Sequence, residues 1–416
     1  MASTQKLTLN QVNKVTQVQP APLLKKAHQV ERIFSKDFCF LMIVSFLTGI
    51  AMTTQMGTLP LFVSYLGGSK GQAGIVVGML GISSLIFRLP VGPLLDRFGR
   101  KLVLIIGMIV MLIDFACLNY FQTVSLLIIL RFVQGAGLAF SSTAITTMAS
   151  DLIPSSRMAV GMSYFTISST IAAALGPMLG LFLIMRYGFT AMFFVAVILT
   201  LLAIGLGLMI PDYYQAQLKA QPKAKADTVT ERATVLKAPI VIPSLIIFMA
   251  CLSYSGVATF YSQFALERHV NNIGYSFAIG SVAIILARIV YSRFLVAVKD
   301  SILLAGSILL MVASFSITAE SHTLFQFLIA SALLGFGFSL IMPILTAVVL
   351  KRVSPYQRGN ALAVFTGATD IAVGAGAMVW GYVAGLVGFS LTFLACAAFV
   401  ALALMIIFKY RQSLFE

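Results

Sequence analysis

Apolar residues gather in long runs separated by short polar breaks, and this blockwise pattern predicts helices that cross a lipid bilayer. Spanning the hydrocarbon core takes about 20 apolar residues in an α-helix. Twelve stretches have that character: 38–64, 72–94, 101–121, 124–149, 159–184, 188–210, 240–264, 273–297, 301–319, 323–350, 359–386 and 389–409. A polar tail (1–37) precedes them, and one long polar connection (211–239), with Pro222 and five Lys or Arg residues, divides them. The predicted fold is all-α, with twelve transmembrane helices in two six-helix pseudo-repeats, 38–210 and 240–416.

Composition agrees. The 416 residues are 59% hydrophobic and 10% charged, with a mean hydropathy of +0.99. A soluble domain is about half apolar and a quarter charged, so the surplus apolar surface must face lipid. The tail lacks the apolar stretch of a signal peptide. At its end, Leu23, Ala27, Val30 and Phe34 recur at helical spacing; the segment either lies on the membrane surface or forms an unordered tail.

The net charge of +15 has a topological reading. Lys and Arg accumulate in cytoplasmic loops. With both termini in the cytoplasm, only Lys70, Arg186 and Arg268 fall outside and Arg88, Arg131 and Arg288 lie within helices, leaving 22 of the 28 Lys and Arg residues inside. The expected location is a bacterial-type inner (plasma) membrane. The basic surplus therefore needs no nucleic-acid partner. Cys39, Cys117, Cys251 and Cys396 sit in apolar runs without shared spacing, which indicates neither a disulfide framework nor a metal site.

The halves echo each other at an offset near 200. ISSLIFRLPVG (82–92) aligns with VAIILARIVYS (282–292), matching Arg88 to Arg288. RFVQGAGLAF (131–140) aligns with SALLGFGFSL (331–340), matching Gly135 to Gly335 and Gly137 to Gly337. IPSSR (153–157) resembles SPYQR (354–358). Repeated halves are a transporter architecture, with the substrate site near the membrane midplane between them.

Three motifs carry a family resemblance. GPLLDRFGRK (92–101) joins the second and third helices: Gly92 and Gly99 permit close approach, Asp96 can accept from backbone N–H groups at a helix N-terminus, and Arg97, Arg100 and Lys101 hold the basic face. LRFVQGAGLAF (130–140) sets Arg131, Gln134 and Gly135 on the fourth helix. AAALGPMLG (172–180) places Gly176, Pro177 and Gly180 on the fifth, where proline bends the helix and the small residues are expected to pack against the opposite half. Together these runs resemble the signature loop, fourth-helix motif and antiporter motif of the major facilitator superfamily, most of all its twelve-helix drug:proton antiporters and related exporters. The resemblance implies the two-bundle fold, alternating access, a switching role for the 92–101 turn and a part for Arg131 in proton coupling. The sequence departs from the pattern at Ala172 and Leu181, where glycine is usual, and in a first helix with no carboxylate beyond Asp37.

Inside the membrane, unpaired charges are costly and pairing is expected. Asp370 stands about 12 residues into its helix, roughly 18 Å deep at 1.5 Å per residue. In the family fold the second and eleventh helices line the interface between halves, so Asp370 is expected to meet Arg88 there, as a proton-released pair or as a permanent structural one. Asp114 and Arg131 flank the short outer turn near Asn119–Thr123 at comparable depth and are expected to form a structural pair. Arg288 has no evident acidic partner. Asp370, Arg131 and Asp114 are the proton-coupling candidates. Gln55, Arg88, Gln134, Tyr164, Tyr254, Tyr261, Gln263, Arg288 and Trp380 are the cavity candidates, a mixed polar and aromatic set suited to amphipathic molecules.

No enzyme chemistry appears: His28, His269 and His322 are far apart, and no GxxxxGK[ST] run is present for ATP. No metal or organic cofactor is implied, and the proton gradient is the expected driving force. The expected activity is proton-coupled efflux of a small amphipathic compound (drug, metabolite or metallophore) by a monomer whose partners are its substrate and membrane lipid. The alternatives are a facilitator or importer of a sugar or other metabolite, and a non-transporting sensor or lipid-handling protein.

Overall fold

The computed structural model describes residues 34–154, 157–211, 238–295, 298–353 and 358–410. Most of the tail and of the 211–239 connection, with their basic residues, and parts of the IPSSR and SPYQR runs lie outside these.

Among the described residues, eleven helices make the twelve spans. They are α1 (Lys36–Thr53), α2 (Leu59–Tyr65), α3 (Lys70–Phe98), α4 (Arg100–Cys117), α5 (Val124–Leu152), α6 (Met158–Met209), α7 (Ala238–Glu267), α8 (Gly274–Val290), α9 (Asp300–Ala319), α10 (Leu324–Lys351) and α11 (Arg358–Lys409). Helices α6 and α11 each run 52 residues and fold back at a glycine, Gly188 (φ 84°, ψ 174°) and Gly388 (φ 82°, ψ 171°). Each therefore supplies two spans; α1 and α2 together supply one. A short π-helical turn, Tyr291–Leu295, extends α8.

Local sequence explains the ends. Ser35 caps α1 by accepting from the Phe38 N–H at 3.1 Å. Ser69 with Gln72, and Thr323 with Gln326, form reciprocal capping boxes at the starts of α3 and α10. Gly99 joins α3 to α4 at φ 88°, a left-handed conformation that strains any residue with a Cβ; this is the local reason for that glycine in the 92–101 turn.

The first span differs from the continuous helix expected over 38–64. It breaks into turns at 54–58, where Gly57 takes φ 76° and Pro60 opens α2. Discontinuous helices mark binding sites in many transporters.

The repeat expected from the sequence is carried into packing. A Cβ on Gly135 would stand 2.7 Å from the Leu80 carbonyl oxygen, and one on Gly335 would stand 2.3 Å from that of Gly280. Gly137 presses on Gly107 and Met111, as Gly337 does on Ser307 and Met311. Within the halves, α1 packs on α6, α3 and α4 on α5, α7 on α11, and α8 and α9 on α10. Between halves, the main contacts are α3 with α11 and α6 with α8, which the pseudo-symmetry exchanges.

The α3–α11 contact is a glycine seam. A Cβ on Gly74 would lie 2.3 Å from the Ala377 oxygen, one on Gly78 2.4 Å from the Gly374 oxygen, and one on Gly381 2.8 Å from Gly74 Cα. Small residues let backbones touch in this way. The seam closes the end of the protein opposite its basic face. There Gln263 Nε2 on α7 donates to the Pro60 oxygen (2.7 Å) and Ser64 Oγ (2.8 Å). Lys70 pairs with Glu267 at 3.1 Å and lies over the Phe389 ring.

Candidate functional site

At the inner limit of the seam, where α3 and α11 begin to part, Arg88 Nη1 contacts Asp370 Oδ2 at 2.6 Å. These are the two residues expected to meet. Side chains of both remain partly accessible, 40% and 27%, because they line a cavity of about 260 Å³ built from α1, α3, α5, α7, α11 and the 54–58 turn. Gln55, Thr53, Ser84, Arg131, Ser255 and Thr259 also line it, among apolar residues such as Met52, Met56 and Val77. A site with a few polar groups in an apolar wall suits a small amphipathic ligand.

Arg131 departs from expectation. Its guanidinium is buried and donates to Gln55 Oε1 at 2.8 Å and to Gln134 Oε1; Gln134 Nε2 also donates to Gln55 Oε1 at 3.2 Å. With Asp114, Arg131 interacts through charge alone and not as the direct pair expected: neither Asp114 oxygen has a hydrogen-bond partner, and the salt bridges among described residues do not include it. The cause is local geometry. Gln134, three residues on, shares Arg131's helix face, and the break in the first span brings Gln55 within reach.

The cavity has two side lobes. One, about 340 Å³, lies between α1, α4, α5 and α6 and carries eight Ser and Thr hydroxyls. It meets the central cavity at Met52, Thr53 and Leu138. The other, about 140 Å³, lies between α7, α8 and α10 and is walled by Tyr254, Tyr261, Phe277 and Phe338. It meets the central cavity at Met56 and Ala258.

Other candidates stand elsewhere. Tyr164 is half exposed with its ring 5.1 Å from that of Phe34. Trp380 is buried, donating to the Leu252 oxygen at 2.7 Å. Gln263 is committed to the closed end. Arg288 is exposed and outside all three spaces, because its turn of α8 lies past the segment that faces the 140 Å³ lobe. Gln134 acts through Arg131.

The antiporter-like run also packs differently from expectation. A Cβ on Gly176 would stand 1.9 Å from Thr53 Oγ1, and one on Gly180 2.2 Å from the Thr54 oxygen. Both press on the first span of their own half, and Thr53 Oγ1 donates to the Ala172 oxygen at 2.9 Å. The second half repeats this lock: Ser255 Oγ donates to the Val373 oxygen at 2.7 Å, and a Cβ on Gly376 would stand 2.7 Å from the Leu252 oxygen. Across the halves, Met178 of the run packs on Gly274 and Ala173 borders the lobe between α7, α8 and α10.

On the basic face, Arg100 pairs with Asp151, which tethers the 92–101 turn to the end of α5. Lys101 Nζ donates to the Leu208 oxygen at 2.7 Å, and Arg97 lies over the Phe98 ring. Asp96 and Gly92 are exposed. Asp151, Phe338, Ser276 and Ser281 were not singled out from the sequence. The repeat offset could have pointed to Phe338, which aligns with Leu138 of the central cavity.

Comparison with known proteins agrees with this geometry. The family model described as Major Facilitator Superfamily matches residues 41–299 and 243–413. An uncharacterized MFS-type transporter of Methanocaldococcus jannaschii is 20% identical over 357 residues, covering 85% of this chain and 92% of that one. The staphylopine export protein of Staphylococcus aureus is 24% identical over 368 residues, covering 85% and 91%. The crystal structure of the nucleoside transporter NupG superposes with a TM-score of 0.71 at 16% identity, covering 90% of this chain and 100% of that one, which is a likeness of fold. Twelve spans in two repeats, a cavity between them and a family match over most of its length make this chain a membrane transporter of the major facilitator superfamily.

Proposed function

We propose that the transporter exports a small amphipathic organic compound in exchange for protons across a bacterial-type inner membrane, with its basic face and both termini in the cytoplasm. The Arg88–Asp370 pair carries this reading. It bridges the two halves at the cavity wall, and the Asp370 side chain is 27% accessible, so a proton or a substrate's cationic group can reach it. Either one takes the carboxylate from Arg88 and frees the halves to rock about the central site. Because both compete for one carboxylate, one enters as the other leaves, which is exchange. The positive-inside bias supports the orientation. The export role named for the Staphylococcus aureus relative supports the direction.

The test begins with a substrate screen in an efflux-deficient host, followed by uptake into inverted vesicles under an imposed pH gradient. Asp370→Asn is expected to keep downhill transport and lose its response to the gradient. An unchanged response would overturn the reading.

A second reading has one observation in its favour. The eight hydroxyls of the 340 Å³ lobe suit a neutral, hydroxylated metabolite moved by facilitated diffusion. Sugar equilibration in de-energised vesicles, unaffected by Asp370→Asn, would select it.

A further inference from the structure

The 140 Å³ lobe between α7, α8 and α10 has features that cation exchange at Asp370 does not explain. Its volume is close to the roughly 150 Å³ of an apolar protein cavity that stays dry and takes up benzene. The walls are aromatic, with the Tyr254 and Phe338 rings stacked at 4.4 Å and 13°. Such walls favour another ring, edge-on or offset.

The lobe also holds a buried hydroxyl that lacks a well-formed hydrogen bond. Tyr261 is satisfied: its hydroxyl donates to the Phe327 oxygen at 2.6 Å and shares a 2.9 Å contact with Ser331 Oγ. Ser276 lies beside the Tyr261 hydroxyl as a weak polar neighbour, is fully buried and has no hydrogen bond of good geometry. Leaving a buried hydroxyl poorly bonded is costly. A ligand that supplied the missing partner would recover that cost.

We propose that this lobe is a ring subsite, which takes one aromatic ring carrying a hydrogen-bonding substituent that meets Ser276. The ring is the apolar end of the transported compound, and its cationic end reaches Asp370 past Met56 and Ala258, which line both spaces. The cationic end rests on the export reading; ring binding does not.

The experiment uses purified full-length protein and ¹⁹F NMR titration with 4-fluorophenol and fluorobenzene. Both probes are expected to bind saturably. Ser276→Ala is expected to weaken 4-fluorophenol about three- to tenfold, the equivalent of one net hydrogen bond, and to leave fluorobenzene unchanged. Ser281→Leu, or Ile284→Phe should that variant fail to fold, fills the lobe and is expected to abolish both. Absence of saturable binding, equal binding after filling, or an equal response of the two probes to Ser276→Ala would each overturn the subsite. No gradient is involved, so loss of the export reading through Asp370→Asn would leave this result standing.

Discussion

Gly176 stands so close to Thr53 that a methyl group on it would lie 1.9 Å from the threonine hydroxyl oxygen. The run that marks antiporters is here a socket for the broken first span of its own half. That span contributes Thr53, Gln55 and Met56 to the central cavity, so the glycine sets the position of the cavity wall indirectly.

Gly176→Ala and Gly180→Ala are therefore expected to destabilise the fold by about 1–3 kcal/mol each, the range for overpacking a filled interface. Gly205→Ala, with open space at its Cβ position, is the control and should stay within about 0.5 kcal/mol. Thermal unfolding in detergent reads both. Equal stability of Gly176→Ala and Gly205→Ala would contradict the socket.

Asp114 and Gln134 make opposite predictions. Asp114→Asn removes a charge whose oxygens have no hydrogen bond and which Arg131 offsets only at a distance, and a buried charge so weakly compensated is costly. Stability is expected to hold or rise. Gln134→Leu strips an acceptor from the buried Arg131 guanidinium, a loss of at least about 1–3 kcal/mol. A sharp fall in melting temperature for Asp114→Asn would restore the ion pair that the sequence suggests.

Gly99→Ala places a Cβ at φ 88°, which costs about 1–2 kcal/mol. Melting temperature is expected to fall accordingly, with the Arg100–Asp151 tether intact. No loss of stability would show that the turn relaxes to another conformation.

At the closed end, Lys70→Ala is expected to cost less than about 1 kcal/mol, since exposed ion pairs contribute little and are screened by salt. Gly78→Leu, aimed at the Gly374 backbone 2.4 Å away, should part the halves there. Cysteines at Ser64→Cys and Gln263→Cys would report it by cross-linking. The yield is expected to fall in the Gly78→Leu background and to hold in Lys70→Ala; the reverse pattern would assign closure to the charges.

Much of this was legible in the sequence, and the failures have physical causes. The spans follow from runs of apolar residues whose length the bilayer dictates. The Arg88–Asp370 contact followed from depth together with the family resemblance, which sets the second and eleventh helices face to face, because two charges at similar depth there have few other partners. Depth brought Asp114 and Arg131 within electrostatic range but not into contact, since rotation of each helix about its axis decides what a side chain meets, and Gln55 and Gln134 were nearer. The break in the first span had a signal, Gly57 three residues before Pro60, but the surrounding run is apolar enough to read as continuous helix. Tyr164 and Trp380 failed as cavity residues because aromatic rings pack wherever space is available, and their sequence neighbourhood does not distinguish wall from core.

The glycine seam bears on what can drive this protein from one state to the other. From Gly74 to Gly81 the two helices touch without charge between them, and the first ionic rung is Arg88 with Asp370. The arrangement works like a zip fastener whose slider is the charged rung. Its teeth are held by close fit alone, so neither acidity nor salt acts on them directly. On the proposed exchange reading, a chemical signal acts on the slider alone, and the teeth follow only once it has parted.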